Sequence, residues 1–486
     1  MGRKYKFKTK PYAHQARALK KLLANGWGGA LLLEPRTGKT KVAIDFAAIH
    51  NLKGDCSKVL ILCPVSVLGV WKREIAAHCP YPTNIIIWDR DGRKERPRLP
   101  DTPRRLTFVL MNYDAFSTPG KRSRTRPTGR YLMKKKVDTW KPDLIVLDES
   151  HKIKSPSAKK TRMIQGLKAP YKIIATGTPV TKKKRVFDVY AQWKFLNPAR
   201  FADFKNFKEF QHYYGVWTQR NGFPQWLGNR NTDNLRKRLH EDSYSVKRSE
   251  CFDLPPRTHS IIPISLSDSR PVYIEMAEEM IAKIRSGEIT EASIKLVQGL
   301  RLAQITSGLA KTTPTDKHPK SRLVRIGTEK LDELEGLLDD LFEAEEKVVV
   351  AARFLGDIVG IKQRSSAPTY VLRGGMTLAE RDSAINRFQT LPGPSLFIMQ
   401  PQAGALGIDL SSASTMIWFS LTTSFVDFSQ ANDRIALSKR PCSYMYLLAT
   451  GTVDEVLYQS LQEDRDVAEL ITTRPEVLLG TGLVDQ

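Results

Sequence analysis

The apolar residues of this chain gather into short runs of about four, each stopped by polar residues and followed by a stretch with apolar positions at helical spacing. This rhythm predicts a strand at 30–33 and a helix at 39–50, then a strand at 59–63 and a helix at 67–78, with further strands at 108–111, 144–147 and 173–175. The runs are apolar at consecutive positions rather than alternate ones. Strands buried on both faces of a parallel sheet read that way. A second block repeats the rhythm. It predicts helices at 331–342, 378–388, 425–435 and from 453 onward, and strands at 348–351, 370–372, 396–399, 416–419 and 444–448. Between the blocks, 200–260 is rich in aromatic and charged residues without a strand period, and it ends near Leu254-Pro255-Pro256; 265–310 reads as helical. The expected fold class is α/β: two parallel-sheet lobes, 1–200 and 326–486, with a helical insertion and connector at 201–325 between them.

A chain of 486 residues suits two or three domains, and an apolar share of 41% supports real cores. The net charge of +26 changes the picture, because it favours a polyanion as partner, nucleic acid ahead of membrane. Eight basic residues and no acidic one fall between Lys121 and Lys136, with Pro127 and Gly129 among them. The stretch reads as a mobile basic loop in which Lys134, Lys135 and Lys136 would meet phosphates. Lys182-Lys183-Lys184-Arg185 and the first ten residues are two more basic clusters. No apolar run is long enough to span a bilayer, and Met1-Gly2-Arg3-Lys4-Tyr5-Lys6 lacks the apolar core of a secretory signal. The five cysteines are scattered, which fits reduced thiols and offers no zinc spacing; a cytoplasmic location is expected.

Two segments carry candidate chemistry. In Leu31-Leu32-Leu33-Glu34-Pro35-Arg36-Thr37-Gly38-Lys39-Thr40 an apolar run stops, the chain turns, and Gly38-Lys39-Thr40 opens a helix. Backbone N–H groups of such a turn make an anion site. Lys39 would reach the outer phosphates of a nucleotide, and the Thr40 hydroxyl would hold Mg²⁺. Alone, Gly-Lys-Thr opens many helices that bind nothing, and Leu33 stands where the full phosphate-loop pattern wants glycine. The second segment, Leu144-Ile145-Val146-Leu147-Asp148-Glu149-Ser150-His151, ends an apolar strand in two carboxylates about 110 residues downstream. Asp148 would hold Mg²⁺, and Glu149 would orient and deprotonate an attacking water. The pair of segments points to hydrolysis of a nucleoside triphosphate.

The ordered set of motifs resembles helicase superfamily two, in particular its Swi/Snf-like branch of DNA-dependent ATPases. Pro11-Tyr12-Ala13-His14-Gln15 is similar to the glutamine motif, which implies that Gln15 reads adenine. Cys63-Pro64-Val65-Ser66 with Trp71 and Glu74, then Asn112-Tyr113-Asp114, resemble the motifs that touch nucleic acid, with Ser66 as a contact. Asp148-Glu149-Ser150-His151 is similar to the Asp-Glu-x-His box, and Thr176-Gly177-Thr178-Pro179 to the motif that couples hydrolysis to nucleic acid through Thr176 and Thr178. Gly374-Gly375 with Arg381 and Phe388, the segment 404–410, and Gln430-Ala431-Asn432-Asp433-Arg434 continue the match. Leu254-Pro255-Pro256-Arg257 and Leu300-Arg301-Leu302-Ala303-Gln304 favour the Swi/Snf branch. The resemblance implies RecA-like lobes, ATP and Mg²⁺ as the bound species, Gly38, Lys39 and Thr40 on the phosphates, and Arg434 as an arginine finger. It further implies duplex or branched DNA as the track of an ATP-dependent translocase.

The chain departs from the family at three places. Arg36 stands where glycine is usual, Leu437 where a second arginine is usual, with Arg440 nearby as a substitute, and Thr422-Thr423-Ser424 where a Trp-Asn-Pro is usual. These departures suggest a divergent, minimal member of bacterial or phage type. Two other readings compete: a strand-separating helicase on DNA or RNA, and a nucleic-acid clamp whose ATPase has failed.

Overall fold

The computed structural model describes residues 4–88, 99, 105–116, 132–177, 179–180, 186–220, 223–252, 256–286, 288, 292–312, 322–404, 408–436, 438, 440–463 and 475–479. The chain divides into two compact units, Met1–Asp253 and Leu254–Gln486.

In the first unit, strands β1 (Gly28–Leu33), β2 (Lys58–Cys63), β3 (Thr83–Trp88), β4 (Leu106–Asn112), β5 (Leu144–Asp148) and β6 (Tyr171–Ala175) come first. An antiparallel hairpin of β7 (Gly215–Arg220) and β8 (Phe223–Asn229) follows, then β9 (Ser243–Val246). One seven-stranded sheet runs β3-β4-β2-β5-β6-β1-β9, and every pairing in it is parallel. The apolar runs are continuous because both faces are covered. Leu31, Val59, Ile61 and Val146 join one core cluster, whereas their strand neighbours Ala30, Leu60, Leu62 and Ile145 join another. Helices Ala13–Asn25, Lys39–Lys53 and Leu68–His78 supply the first of those layers. Helix Asp188–Leu196, with Val189, Tyr190, Trp193 and Phe195, supplies much of the second.

The second unit contains β10 (Arg257–Ile264), a small antiparallel pair β11 (Leu309–Lys311) and β12 (Leu323–Arg325), then β13 (Lys347–Ala351), β14 (Thr369–Leu372), β15 (Ser395–Met399), β16 (Thr415–Trp418) and β17 (Cys442–Ala449). Its six-stranded sheet, β10-β17-β16-β13-β15-β14, is also parallel throughout. Val349 and Ala351 face one cluster and Val348 and Val350 the other. The α/β class with two parallel-sheet lobes is therefore as expected.

Residues 201–325 are arranged differently from the helical insertion that was expected. The unit boundary falls inside the stretch, β9 completes the first sheet and β10 begins the second. Neither strand is an apolar run. β9 is Ser-Tyr-Ser-Val, and the first five residues of β10 are exposed, so its sequence reads as polar although it pairs with β17 over eight residues. The hairpin β7–β8 hides likewise, with Trp217 and Trp226 packed against the core and polar residues between. Edge strand β3 is likewise absent from the strands that the apolar rhythm predicts.

Candidate nucleotide site and its supports

Gly38 precedes helix Lys39–Lys53 with φ 85°, a left-handed conformation open chiefly to glycine. A Cβ at Gly38 would come within 2.1 Å of Gln15 Nε2, so a side chain there would have to push the Gln15 amide aside. Arg36 also has positive φ, at 67°, which explains why glycine would suit its position and marks the turn as strained. The turn is braced from helix Ala13–Asn25. His14 Nε2 donates to Thr37 O at 2.8 Å and Gln15 Nε2 to the same carbonyl at 3.2 Å, while Gln15 Oε1 accepts from Tyr12 N at 3.0 Å. Gln15, from which a base contact was expected, thus bonds at both ends of its amide to the chain's own backbone. Lys39 Nζ donates to Leu33 O at 2.8 Å and Glu34 O at 3.2 Å. Thr40 follows in the first turn of the helix.

Asp148 ends β5 at the carboxyl edge of the sheet, where crevices of parallel α/β sheets take ligands. Its carboxylate is held on both oxygens: Oδ2 accepts from Trp71 Nε1 at 2.8 Å and Oδ1 from Glu149 N at 3.0 Å. Tyr113 donates its hydroxyl to the Asp148 carbonyl at 2.7 Å. Burial, then the charge of Glu149, pushes the Asp148 carboxyl up to about 6; the Trp71 bond and Lys39 pull the other way.

Glu149 adopts φ 53°, a second non-glycine residue in the left-handed region at this site. Thr176 Oγ1 donates to Glu149 Oε2 at 3.5 Å, and His151 Nδ1 lies 3.3 Å from that oxygen and 3.3 Å from Thr176 Oγ1. The Thr176 segment is itself fixed. Thr176 N donates to Leu31 O at 3.1 Å, and a Cβ on Gly177 would meet Pro35 Cδ at 2.8 Å, so the coupling segment lies directly on the phosphate turn. Buried Gln192 makes a further tie: it accepts from Ser150 Oγ at 2.6 Å and donates to Pro179 O at 2.7 Å. The structure therefore gathers Gln15, Gly38, Lys39, Thr40, Asp148, Glu149 and Thr176 at one edge of the first sheet. Trp71, Tyr113 and Gln192 are supports that the sequence did not reveal as such. Trp71 and Tyr113 sat in motifs read as nucleic-acid contacts, and Gln192 carried no signal beyond being polar on an otherwise apolar helix face.

The remaining expected residues are elsewhere or undescribed. Thr178, the 182–185 cluster and 121–131 of the basic loop lie outside the described residues, as does the side chain of Ser66. Lys134, Lys135 and Lys136 are not in a loop but in helix Leu132–Trp140, because Met133, Val137 and Trp140 share a face that packs on the core. Lys134 pairs with Asp138, Lys136 Nζ sits 5.3 Å from the centre of the Trp88 ring, and Lys135 is exposed. The N-terminal basic cluster is partly structural, with Tyr5 donating to Asp45 Oδ1 at 2.7 Å and Lys8 to Ala76 O at 2.6 Å.

In the second unit, Arg434 Nε donates to Gln430 O at 2.7 Å and Nη1 to Ile408 O at 3.2 Å. Its guanidinium thus joins the two segments that carry the family's last motifs. Leu437 lies outside the described residues. Arg440 Nη1 is 3.1 Å from Glu346 Oε1, and Glu346 also accepts from Ser414 and Thr415. These residues stand where β13, β16 and β17 begin. Arg440 is tied to the amino edge of its sheet, opposite to the edge that an arginine reaching a nucleotide from the strand ends would use.

The chemistry of the donor set suits the implied ligands. A hydroxyl at Thr40 and a carboxylate at Asp148 are hard oxygen donors of the kind Mg²⁺ takes, and a left-handed turn opening a fifteen-residue helix suits phosphate. Among the described residues, no helix is long and apolar enough to cross a membrane.

Comparison with known proteins agrees with the motifs. The SNF2-related domain matches residues 14–312 and the helicase conserved C-terminal domain residues 329–437. The chain is 25% identical over 443 residues to the DNA repair and recombination protein RDH54 of Saccharomyces cerevisiae, covering 84% of this chain and 45% of that one. It is 24% identical over 453 residues to a SWI/SNF-related matrix-associated actin-dependent regulator of chromatin subfamily A-like protein 1 homolog of Caenorhabditis elegans, covering 90% of this chain and 59% of the relative. The chain thus spans about half the length of these relatives. Among solved structures, the Sulfolobus solfataricus SWI2/SNF2 ATPase core in complex with dsDNA is 21% identical, with a TM-score of 0.44 and coverage of 98% of this chain and 96% of that one. With the SNF2-related domain matching well over half of its length and the helicase C-terminal domain following in order, the chain belongs to the SNF2-related, Swi/Snf-like family of helicase superfamily two.

Proposed function

We propose that this protein hydrolyses ATP and uses the cycle to move along duplex DNA. The observation that carries the reading is the convergence of a left-handed glycine turn, Lys39 and the Asp148–Glu149 pair at the carboxyl edge of one parallel sheet. Gly38, Lys39 and Thr40 bind the phosphates, and Gln15 and His14 keep the turn in its binding shape. Mg²⁺, when bound, would supply charge neutralisation at the phosphates, and Thr40 and Asp148 are the residues that would hold it. Glu149, oriented by Thr176 and His151, accepts the proton of the attacking water. Arg434 supplies positive charge where negative charge develops on the γ-phosphate as it passes to water and ADP leaves. Its present bonds to Gln430 and Ile408 make that role depend on a rearrangement of the 404–410 segment. Thr176 and Thr178 pass the state of the site to DNA, and Ser66 and Lys134–Lys136 contribute phosphate contacts. DNA as the track rests on the net charge of +26 and on relatives named for DNA repair and recombination.

The test is ATP turnover against single-stranded, duplex and forked DNA and RNA, paired with displacement of a triplex-forming strand and of an annealed strand. The proposal expects duplex DNA to stimulate turnover and the triplex strand alone to be displaced. Lys39→Ala should abolish turnover while leaving DNA affinity within a few-fold, Glu149→Gln should bind ATP and stall, and Arg434→Ala should lose roughly 10³-fold in rate. Turnover in Lys39→Ala equal to the parent's would sink the reading.

A further inference from the structure

We infer that Glu34 is a positioning residue that ties the phosphate turn to residues 248–252 near the end of the first unit, so that nucleotide in the turn orders that segment. The inference rests on the ATP reading above. Glu34 follows β1 inside the phosphate turn and is engaged through three groups. Its carbonyl accepts from Lys39 Nζ at 3.2 Å and from Thr37 Oγ1 at 2.8 Å. Its amide donates to Val246 O at 3.3 Å, prolonging the β1–β9 ladder by one bond past Leu33 and Val246. Its carboxylate reaches 214 residues along the sequence to accept from Arg248 N at 2.9 Å.

Arg248 begins the single turn Arg248–Glu250, and the chain passes into the second unit after Asp253. The amide held by Glu34 is the first N–H of that turn, which has no partner inside the turn itself. Phe252 N and Cys251 N both donate back to Arg248 O, at 3.0 and 2.9 Å, so the position of Arg248 sets that of the next four residues. A second contact runs in parallel. Phe252 places its ring edge-on to Tyr12 and His14, with centroids 5.6 and 5.7 Å away, and His14 is the residue that holds Thr37 O. Residues 248–252 therefore lean on the phosphate turn from both sides.

The contacts form an unbroken series from Lys39 through the Glu34 backbone and carboxylate to the Arg248 amide. Engagement of Lys39 by a triphosphate exchanges its bond to the Glu34 carbonyl for one to phosphate and adds phosphate contacts to the N–H groups of the turn. A fixed turn holds the Glu34 carboxylate on Arg248 more persistently, and residues 248–252 are ordered at the moment of loading. Ionisation is not what matters here; the acceptor oxygen and its reach are. A glutamine keeps both, an aspartate is one methylene too short, and an alanine has neither.

The experiment is hydrogen exchange of residues 247–252 in the full chain, with and without Mg²⁺ and a non-hydrolysable ATP analogue, with binding of the analogue measured in the same samples. Exchange of the Arg248 amide should slow by tenfold or more on binding in the parent and in Glu34→Gln. In Glu34→Asp and Glu34→Ala it should be fast and indifferent to the analogue, and the ratio of DNA-stimulated to unstimulated ATP turnover should fall with it. An analogue that binds without changing the Arg248 amide overturns the inference while leaving the ATP site standing, as does an aspartate variant that responds like the parent. Failure of the parent to bind the analogue removes the ATP reading and the inference together.

Discussion

At the scale of single residues, the candidate site is built from side chains held by one another and by the chain's own backbone. Trp71 is the clearest case. It is buried to 1% exposure and gives its only donor to Asp148 Oδ2. A phenylalanine would fill most of the same space and leave that oxygen without its donor. Trp71→Phe should therefore raise the Mg²⁺ concentration for half-maximal ATP turnover by about 10-fold or more, the usual loss when the support of a metal-binding carboxylate is removed. A Mg²⁺ titration matching the parent's would reduce Trp71 to packing. Lys39, Asp148 and Glu149 stand out as candidates in the sequence because phosphate chemistry asks for such residue types in such an order and tolerates few substitutes. Trp71 and Tyr113 were not legible as supports of Asp148, since nothing local in sequence links positions 77 and 35 residues away from it.

At the scale of elements, buried strands announced themselves and half-exposed ones did not. β1, β2, β4, β5, β6 and β13 are apolar on both faces, so the chain spells them out as uninterrupted runs. β10 pairs along its whole length and yet carries Arg257, Thr258, His259 and Ser260 in the open, which cancels the signal. Helix Leu132–Trp140 was hidden for a different reason: three consecutive lysines outweighed the Met133, Val137 and Trp140 stripe. Helix Asp188–Leu196 shows how one element serves the site without touching it, because Gln192 links Ser150 to Pro179. Gln192→Leu would leave a buried hydroxyl and a carbonyl each without a partner, a cost of about 1–3 kcal/mol each if neither finds a substitute. The expected result is a lower melting temperature and a smaller stimulation of ATP turnover by DNA, with lost stability but intact stimulation as the outcome that confines Gln192 to a structural role.

At the scale of the whole molecule, two sheets with separate core clusters predict two unfolding transitions rather than one. Asp357 provides a way to tell them apart. It is fully buried in the second unit, accepts from Ser420 Oγ at 2.7 Å, and burial pushes its carboxyl up from 3.8 to about 7. An acid raised in this way leaves stability untouched below its unfolded value and weighs fully against the fold above about 7, by at most about 4 kcal/mol. Asp357→Asn should raise one calorimetric transition at pH 8, leave the other in place, and lose part of its advantage as the pH falls towards 5. An equal shift of both transitions would argue that the units unfold as one. The passage between the units also has a mechanical side. It leaves one sheet by its outermost strand and enters the next by another outermost strand, β9 being fastened along four residue pairs and β10 along eight. Pulling on the two ends of the chain in a force-ramp measurement should therefore detach β9 first, unless the two yield in the opposite order. If the proposed function holds, a chain that strains its own linkage would slip beside β1, next to the turn proposed to hold its fuel, and so loosen that grip before it tore its second half.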